Sequence, residues 1–303
     1  MADSPKVNPK QIEGCGRMEL VILGSGGATT IPRPGCQCRV CVEARAKGIP
    51  YARSSPSMYV SDIKLLFDTP DEIASQLNRE GINDVDYIFY SHWHPDHTLG
   101  LRIVEKMYKF WLGRIVRGDK PTKKVQVCAL VKVMKDLREK YGSFFNFYKE
   151  MDLIETVVLE NGRPFEIRDY KVTAFEVHAE YAAVVSTIFL IECKGKKVIY
   201  APCDVKPFPK KPQLNKPDLL ILGEAFPEGP LREGIVIPED SPLRKELFSM
   251  REVEGLVETL EAKKTVLTHI EEEWCRNYDD YTAIEKNYHG KIRFAYDGMK
   301  LTI

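Results

Sequence analysis

A chain of 303 residues can bury a large core, and its 44% apolar and 29% charged content is that of a globular protein rather than a disordered one. The 44 basic residues balance the 44 acidic ones, so no global field points to nucleic acid or anionic lipid. The N-terminal stretch MADSPKVNPKQIEGCGRM lacks the apolar run of a secretion signal, and no segment is long enough to span a bilayer. The expected location is the cytoplasm, with no membrane partner. Disulfides are rare there, so the 8 cysteines call for a metal explanation first.

In chain order, MELVILG closed by SGGATT predicts a strand running into a glycine-rich turn. PGCQCRVC then packs Cys36, Cys38 and Cys41 closely together. SMYVSDIKLLFDT reads as two strands joined at Ser61 and Asp62, and VDYIFYS as a third. Leu101, Val104, Tyr108 and Trp111 recur at helical spacing, so a helix follows the turn at Pro95. VMKDLREKYGSFFNFYKEM is also helical in composition. Residues 101–150 are thus read as a helical insertion that buries its aromatic face, with a lid or substrate platform as the second reading.

Further along, KVTAFEVHAE predicts a strand, and TIFLIECKGKKVIYAPCD a hairpin turning at Lys194 and Gly195. DLLILGEA reads as a buried strand. Val253, Leu256, Val257 and Leu260 mark an amphipathic helix leading into the strand TVLTH. Strands come as hairpins and meanders, without strict strand–helix alternation. This order predicts an α/β sandwich of mixed sheets covered by helices, not a doubly wound parallel sheet. No linker stands out, and residues 1–303 are read as one domain.

Three of the 6 histidines, His92, His94 and His97, fall in SHWHPDH. At an extended strand end, residues two apart project to the same side, so His92 and His94 can reach one cation. Pro95 then forces a turn, and Asp96 and His97 swing in from the start of the next helix. Imidazoles beside a carboxylate can serve two adjacent cations.

This motif resembles the H-x-H-x-D-H signature of metallo-β-lactamase-fold hydrolases. Other motifs of that family follow in order: LLFDT with Asp68, FEVH with His178, YAPCD with Asp204 and VLTH with His269. The resemblance covers roughly residues 18–300. It implies an αββα four-layer sandwich, two mixed sheets flanked by helices, with two divalent ions (zinc, manganese or iron). One ion would take His92, His94 and His178, and the other Asp96, His97 and His269. Asp204 would bridge them, and Asp68 would hold a ligand imidazole in its tautomer. Asp96 and Asp204 would be the catalytic residues, positioning the metals that carry a hydroxide nucleophile. His289 matches no motif and is read as structural.

The run LGSGGATTIPRPGCQCRVC and the closing AYDGMKLTI resemble the branch containing the phosphoribosyl cyclic phosphodiesterase of the carbon–phosphorus lyase pathway. In that branch the cysteines hold one structural zinc, which places a zinc loop near residues 33–45. The family's fourth ligand is a histidine three residues after the last catalytic one, a position occupied here by Glu272. Cys275, three residues further on, is expected to complete an all-cysteine site, with Glu272 as second choice. Cys128, Cys193 and Cys203 read as small apolar core residues, and Cys15 has no assignable role.

The implied activity is metal-dependent hydrolysis of a small phosphodiester, cyclic ones included. A tRNA 3′-processing-like ribonuclease stands second, and a cofactor-biosynthesis protein resembling pyrroloquinoline quinone synthesis protein B stands third. A small phosphorylated substrate is accordingly preferred over nucleic acid, and a homodimer is compatible with everything above. Related phosphodiesterases carry a further histidine before the final helix, near Leu247 here, yet no histidine lies between His178 and His269. Glu224, Glu228, Arg232, Lys245 and Tyr181 are the candidates for its work.

Overall fold

The computed structural model describes residues 17–179 and 181–303; Cys15 lies outside them. Apolar runs and hairpins generate sixteen strands: β1 Glu19–Gly24, β2 Ser57–Val60, β3 Leu65–Phe67, β4 Tyr87–Phe89, β5 Val125–Leu130, β6 Ile154–Leu159, β7 Pro164–Ile167, β8 Tyr170–Ala179, β9 Val184–Cys193, β10 Lys196–Ala201, β11 Leu219–Leu222, β12 Ala225–Phe226, β13 Phe248–Ser249, β14 Thr265–Leu267, β15 Ile292–Phe294 and β16 Met299–Thr302. The α-helices are α1 Arg39–Lys47, α2 Ile73–Glu80, α3 Pro95–Thr98, α4 Ile103–Tyr108, α5 Trp111–Arg117, α6 Val131–Glu150, α7 Met250–Leu260 and α8 Tyr278–Glu285.

Two seven-stranded sheets form, in the orders β16-β1-β2-β3-β4-β5-β6 and β15-β14-β11-β10-β9-β8-β7. Each is antiparallel along one half and parallel along the other. In the first sheet β3, β4, β5 and β6 run parallel, and in the second β10, β11, β14 and β15 do. The sheets face each other through aromatic side chains. Phe67 of β3 stacks at 4.9 Å on Phe189 of β9 and at 5.1 Å on Tyr200 of β10. A second apolar cluster lies on the other side of the second sheet, where α7 buries Val253, Val257 and Leu260 against Leu220 and Leu222. Ser249 caps α7 with a full capping box to Glu252. The result is the expected helix–sheet–sheet–helix sandwich.

The segment 101–150 departs from its reading as a helical insertion. VQVCAL within it forms β5, a buried strand of the first sheet. The helical spacing from Leu101 to Trp111 is also interrupted. Leu101, Val104 and Tyr108 are buried, but the chain breaks at Lys109 and Phe110, and Trp111 opens the separate helix α5 with its side chain exposed.

Candidate metal centre

Six of the seven predicted catalytic-site ligands converge where the parallel strands of both sheets end. His92 and His94 follow β4, Asp96 and His97 sit on the short α3 begun by Pro95, Asp204 follows β10 and His269 follows β14. His92 Nε2 and His94 Nδ1 each lie 3.4 Å from Asp204 Oδ2. His97 Nε2 and His269 Nε2 lie 3.3 and 3.4 Å from Asp96 Oδ2. Two triads result, His92/His94/Asp204 and Asp96/His97/His269, the ligand atoms of each within 4.8 Å of one another. The His92 and His97 rings, 4.3 Å apart, join them.

His92 and His97 are fully buried and His269 nearly so. Yet His92 Nε2, His97 Nε2 and both ring nitrogens of His269 make no hydrogen bond among the described residues. Buried polar nitrogens are costly when left unpaired. Converging on carboxylates, they form a donor set that divalent cations accept. Asp68 stands behind this centre: its Oδ2 lies 2.8 Å from His97 Nδ1 and accepts from Ser91 Oγ, so that His97 Nε2 faces the centre.

Charge follows the same geometry. Burial holds His92 well below the usual histidine range, helped by the neighbouring His97 and His94. Burial would also lower His97, but Asp96 and Asp68 outweigh it and raise His97 to about 9. Burial pushes the Asp204 carboxyl up. Asp68, Asp204, Glu224 and His269 all adopt left-handed backbone conformations, with φ of 58°, 53°, 60° and 55°. Such residues cost on the order of 1 kcal/mol each and cluster where side chains must be aimed.

His178 is the ligand that the fold does not deliver. It lies on β8 between the buried Val177 and Ala179, its own side chain 72% exposed and its Nε2 2.7 Å from Glu176. By strand parity His178 shares the face of Val172 and Ala174, which pack between the sheets. But it stands near the end of β8, past that packed region, with its side chain in solvent beside Glu176. It is absent from the group formed by His92, His94 and Asp204.

Three further residues join the centre: Cys203 and Glu271, which the sequence reading did not place there, and Glu224, one of the candidates for the missing histidine's work. Cys203, read as core, places its thiol with the His92 and His97 nitrogens and 3.4 Å from Glu224 Oε1. Glu224, buried at the end of β11, accepts from the Asp204 backbone N–H at 2.6 Å and so fixes the loop that carries Asp204. Burial, then the Asp204 charge, raises its carboxyl to about 8. Glu271 lies 3.3 Å from His269 Nδ1 and accepts from the Ala28 backbone N–H at 2.9 Å. Gly27 permits this contact, because a Cβ there would stand 1.9 Å from Glu271 Oε1.

A second cluster gathers Cys36, Cys38, Cys41 and Glu272. Glu272 Oε1 lies 3.3, 2.9 and 3.5 Å from the three thiols. Its Oε2 pairs with Arg232 and lies 3.7 Å from Arg33. Three thiols and one carboxylate around a common point fit a closed tetrahedral site. Cys275 is not in the group. The short turn Glu272–Trp274 buries Glu272, whereas Cys275 ends that turn in a left-handed conformation and stays partly exposed. The seven described cysteines are all unbridged. Cys128 and Cys193 are buried, as expected of core residues.

Residues 64–270 match the β-lactamase superfamily domain. The chain belongs to that superfamily. As a member it is a metal-dependent hydrolase using divalent cations. Among solved structures it is similar to a diphosphatase from the PhnP family, at 25% identity over 95% of this chain and 97% of the other, with a TM-score of 0.67. Zn²⁺-bound PqqB from Methylobacterium extorquens shares the fold at 18% identity, 94% and 99% coverage and a TM-score of 0.66. An octanoyltransferase of Porphyromonas gingivalis (strain ATCC BAA-308 / W83) is 25% identical over 165 residues, 53% of this chain. The match spans only 30% of that protein's length. No helix among the described residues is long and apolar enough to cross a membrane.

Proposed function

We propose that the chain is a dinuclear phosphodiesterase acting on a small phosphodiester, cyclic ones included. The observation that carries this reading is the pair of joined triads, with His92 Nε2, His97 Nε2 and His269 Nε2 buried and without a hydrogen bond among the described residues. Likeness to a diphosphatase supports phosphoryl chemistry in particular. Two divalent cations here would supply a water-derived nucleophile near neutral pH and neutralise charge on phosphoryl oxygens. His92, His94 and Asp204 would hold one, and Asp96, His97 and His269 the other. Asp68 and Glu271 would orient His97 and His269, and Glu224 would hold the Asp204 loop. Cys36, Cys38, Cys41 and Glu272 would hold a structural zinc that fixes the N-terminal loop beside the centre.

Glu246 would take the work of the missing histidine. It adjoins Leu247, is half-buried, and its carboxyl is pushed up by burial and then by the Asp204 charge. A carboxyl with a raised pKa can hold a proton for a leaving oxygen. Glu224 is already engaged with Asp204, and Arg232 with Glu272.

The test is hydrolysis of bis(para-nitrophenyl) phosphate by protein reconstituted with zinc, manganese or iron. Wild type should turn over, and Asp96→Ala should lose about a thousandfold, corresponding to ~4 kcal/mol of transition-state stabilisation. Glu246→Gln should spare the activated nitrophenyl ester but slow an alkyl phosphodiester about a hundredfold. Metal-loaded wild type inert toward every phosphodiester and diphosphate offered would rule the reading out.

A further inference from the structure

The helices between α3 and β5 leave an apolar surface uncovered. On α5, Trp111, Leu112, Ile115 and Val116 share one face at helical spacing and are 62, 54, 67 and 69% exposed. Gly113 turns inward and is buried. Phe110 extends the patch at 56% exposure, and Phe147 of α6, 45% exposed, lies beneath Lys109 with its ring centroid 5.8 Å from Nζ. Contiguous exposed apolar residues of this size mark an interaction surface rather than ordinary scatter.

Charge identifies the partner. Although the whole chain is neutral, residues 101–120, which carry the patch, hold six basic and two acidic side chains, an excess of four positive charges. Around the patch, Arg102 and Lys109 pair with Glu105, and Arg117 pairs with Asp119. Exposed Lys106 and Lys120 and half-buried Arg114 form no ion pair among the described residues. Glu150 and Asp152 border the C-terminal end of α5, and Asp152 is paired with Lys124.

We infer that α5 and its flanks form a docking site for an anionic lipid surface, with Phe110, Trp111, Leu112, Ile115 and Val116 entering the headgroup boundary and the surrounding cations facing lipid phosphates. A helix with Trp, Phe and Leu on one face and Arg and Lys around it lies in such an interface without crossing it. A second copy of the chain fits less well, because a two-fold contact sets this positive region against itself. RNA also fits less well, because Leu112, Ile115 and Val116 offer neither stacking nor hydrogen bonds. The inference differs from the sequence-based expectation of no membrane partner, and it is independent of the reaction catalysed.

The test is co-sedimentation of the full chain with vesicles of phosphatidylcholine alone and of phosphatidylcholine mixed equally with phosphatidylglycerol. Binding to the anionic vesicles should be about a hundredfold tighter, the scale of two or three basic groups near such a surface. It should weaken with salt. Trp111→Glu with Ile115→Glu, both at exposed positions, should abolish it, with circular dichroism and melting unchanged. Lys106→Ala with Lys120→Ala should weaken anionic binding about tenfold and leave the fold intact. Equal or absent binding to both vesicles overturns the inference. So does a dimer, measured by sedimentation, that the double glutamate variant converts to monomer.

Discussion

At the histidine–aspartate centre the donors stand just beyond buried parallel strands of two sheets, whereas at the cysteine cluster they come from a loop, the first turn of α1 and a second short turn. The first is aimed by the sandwich itself, through Asp68, Ser91 and Glu224. The second has no sheet behind it. One carboxylate, Glu272, spans to thiols more than 230 positions away in the chain, and Arg33 and Arg232 close it from the other side. The difference separates two jobs: the fold holds the first set of donors whatever they bind, but the loop needs its occupant to keep its shape.

Replacing Asp204 should produce the largest effect. Asp204→Ala should lower phosphodiester hydrolysis about a thousandfold, and the melting temperature should stay within a few degrees because the sheets remain packed. Unfolding of this variant would erase the distinction between the sites. Glu272→Ala should do the reverse: lose the loop's metal, expose residues 33–47 to limited proteolysis, and cut hydrolysis only about ten- to a hundredfold.

The loop site should also respond to acid. Burial pushes the Cys41 thiol up to about 12 and also raises Cys38, while the Cys38 backbone N–H lowers Cys36. Metal must therefore displace protons from at least Cys38 and Cys41, and its affinity should rise about tenfold per displaced proton for each pH unit. Zinc release followed with a chromogenic chelator should increase steeply as pH falls; a flat profile would mean the thiols are not ligands. Glu271→Gln should cost about tenfold in hydrolysis by loosening His269. Cys275→Ser should change neither metal content nor rate by more than about twofold, since the side chain lies outside both clusters.

The sandwich was legible in the sequence because hairpins and buried runs alternate in a recognisable order, and α7 and β14 appear where their periodicities place them. His92, His94, Asp96 and His97 were legible because they are contiguous across one strand–turn–helix junction. His178 was not, since its motif gives the strand and its face but not whether a side chain at the strand's open end turns toward Asp204 or toward Glu176. The thiol cluster was legible through spacing, but its fourth member depended on a turn: Glu272 is buried and Cys275 left outside by backbone geometry that THIEEEWC does not spell out. The part Glu224 plays in holding the Asp204 loop, and Glu271 altogether, escaped for a related reason. Each acts through one contact with a distant loop, Asp204 for the former and Ala28 for the latter. β5 was hidden by length, because six residues, five of them apolar, between helices fit either element.

The most direct measurement is the divalent metal content per chain, by mass spectrometry, of wild type, Glu272→Ala and His92→Ala/His97→Ala. The account predicts three ions in wild type, two in Glu272→Ala with hydrolysis reduced about ten- to a hundredfold but measurable, and a single ion with no hydrolysis in the double histidine variant. An unchanged count in Glu272→Ala, or full hydrolysis after loss of both histidines, would contradict it.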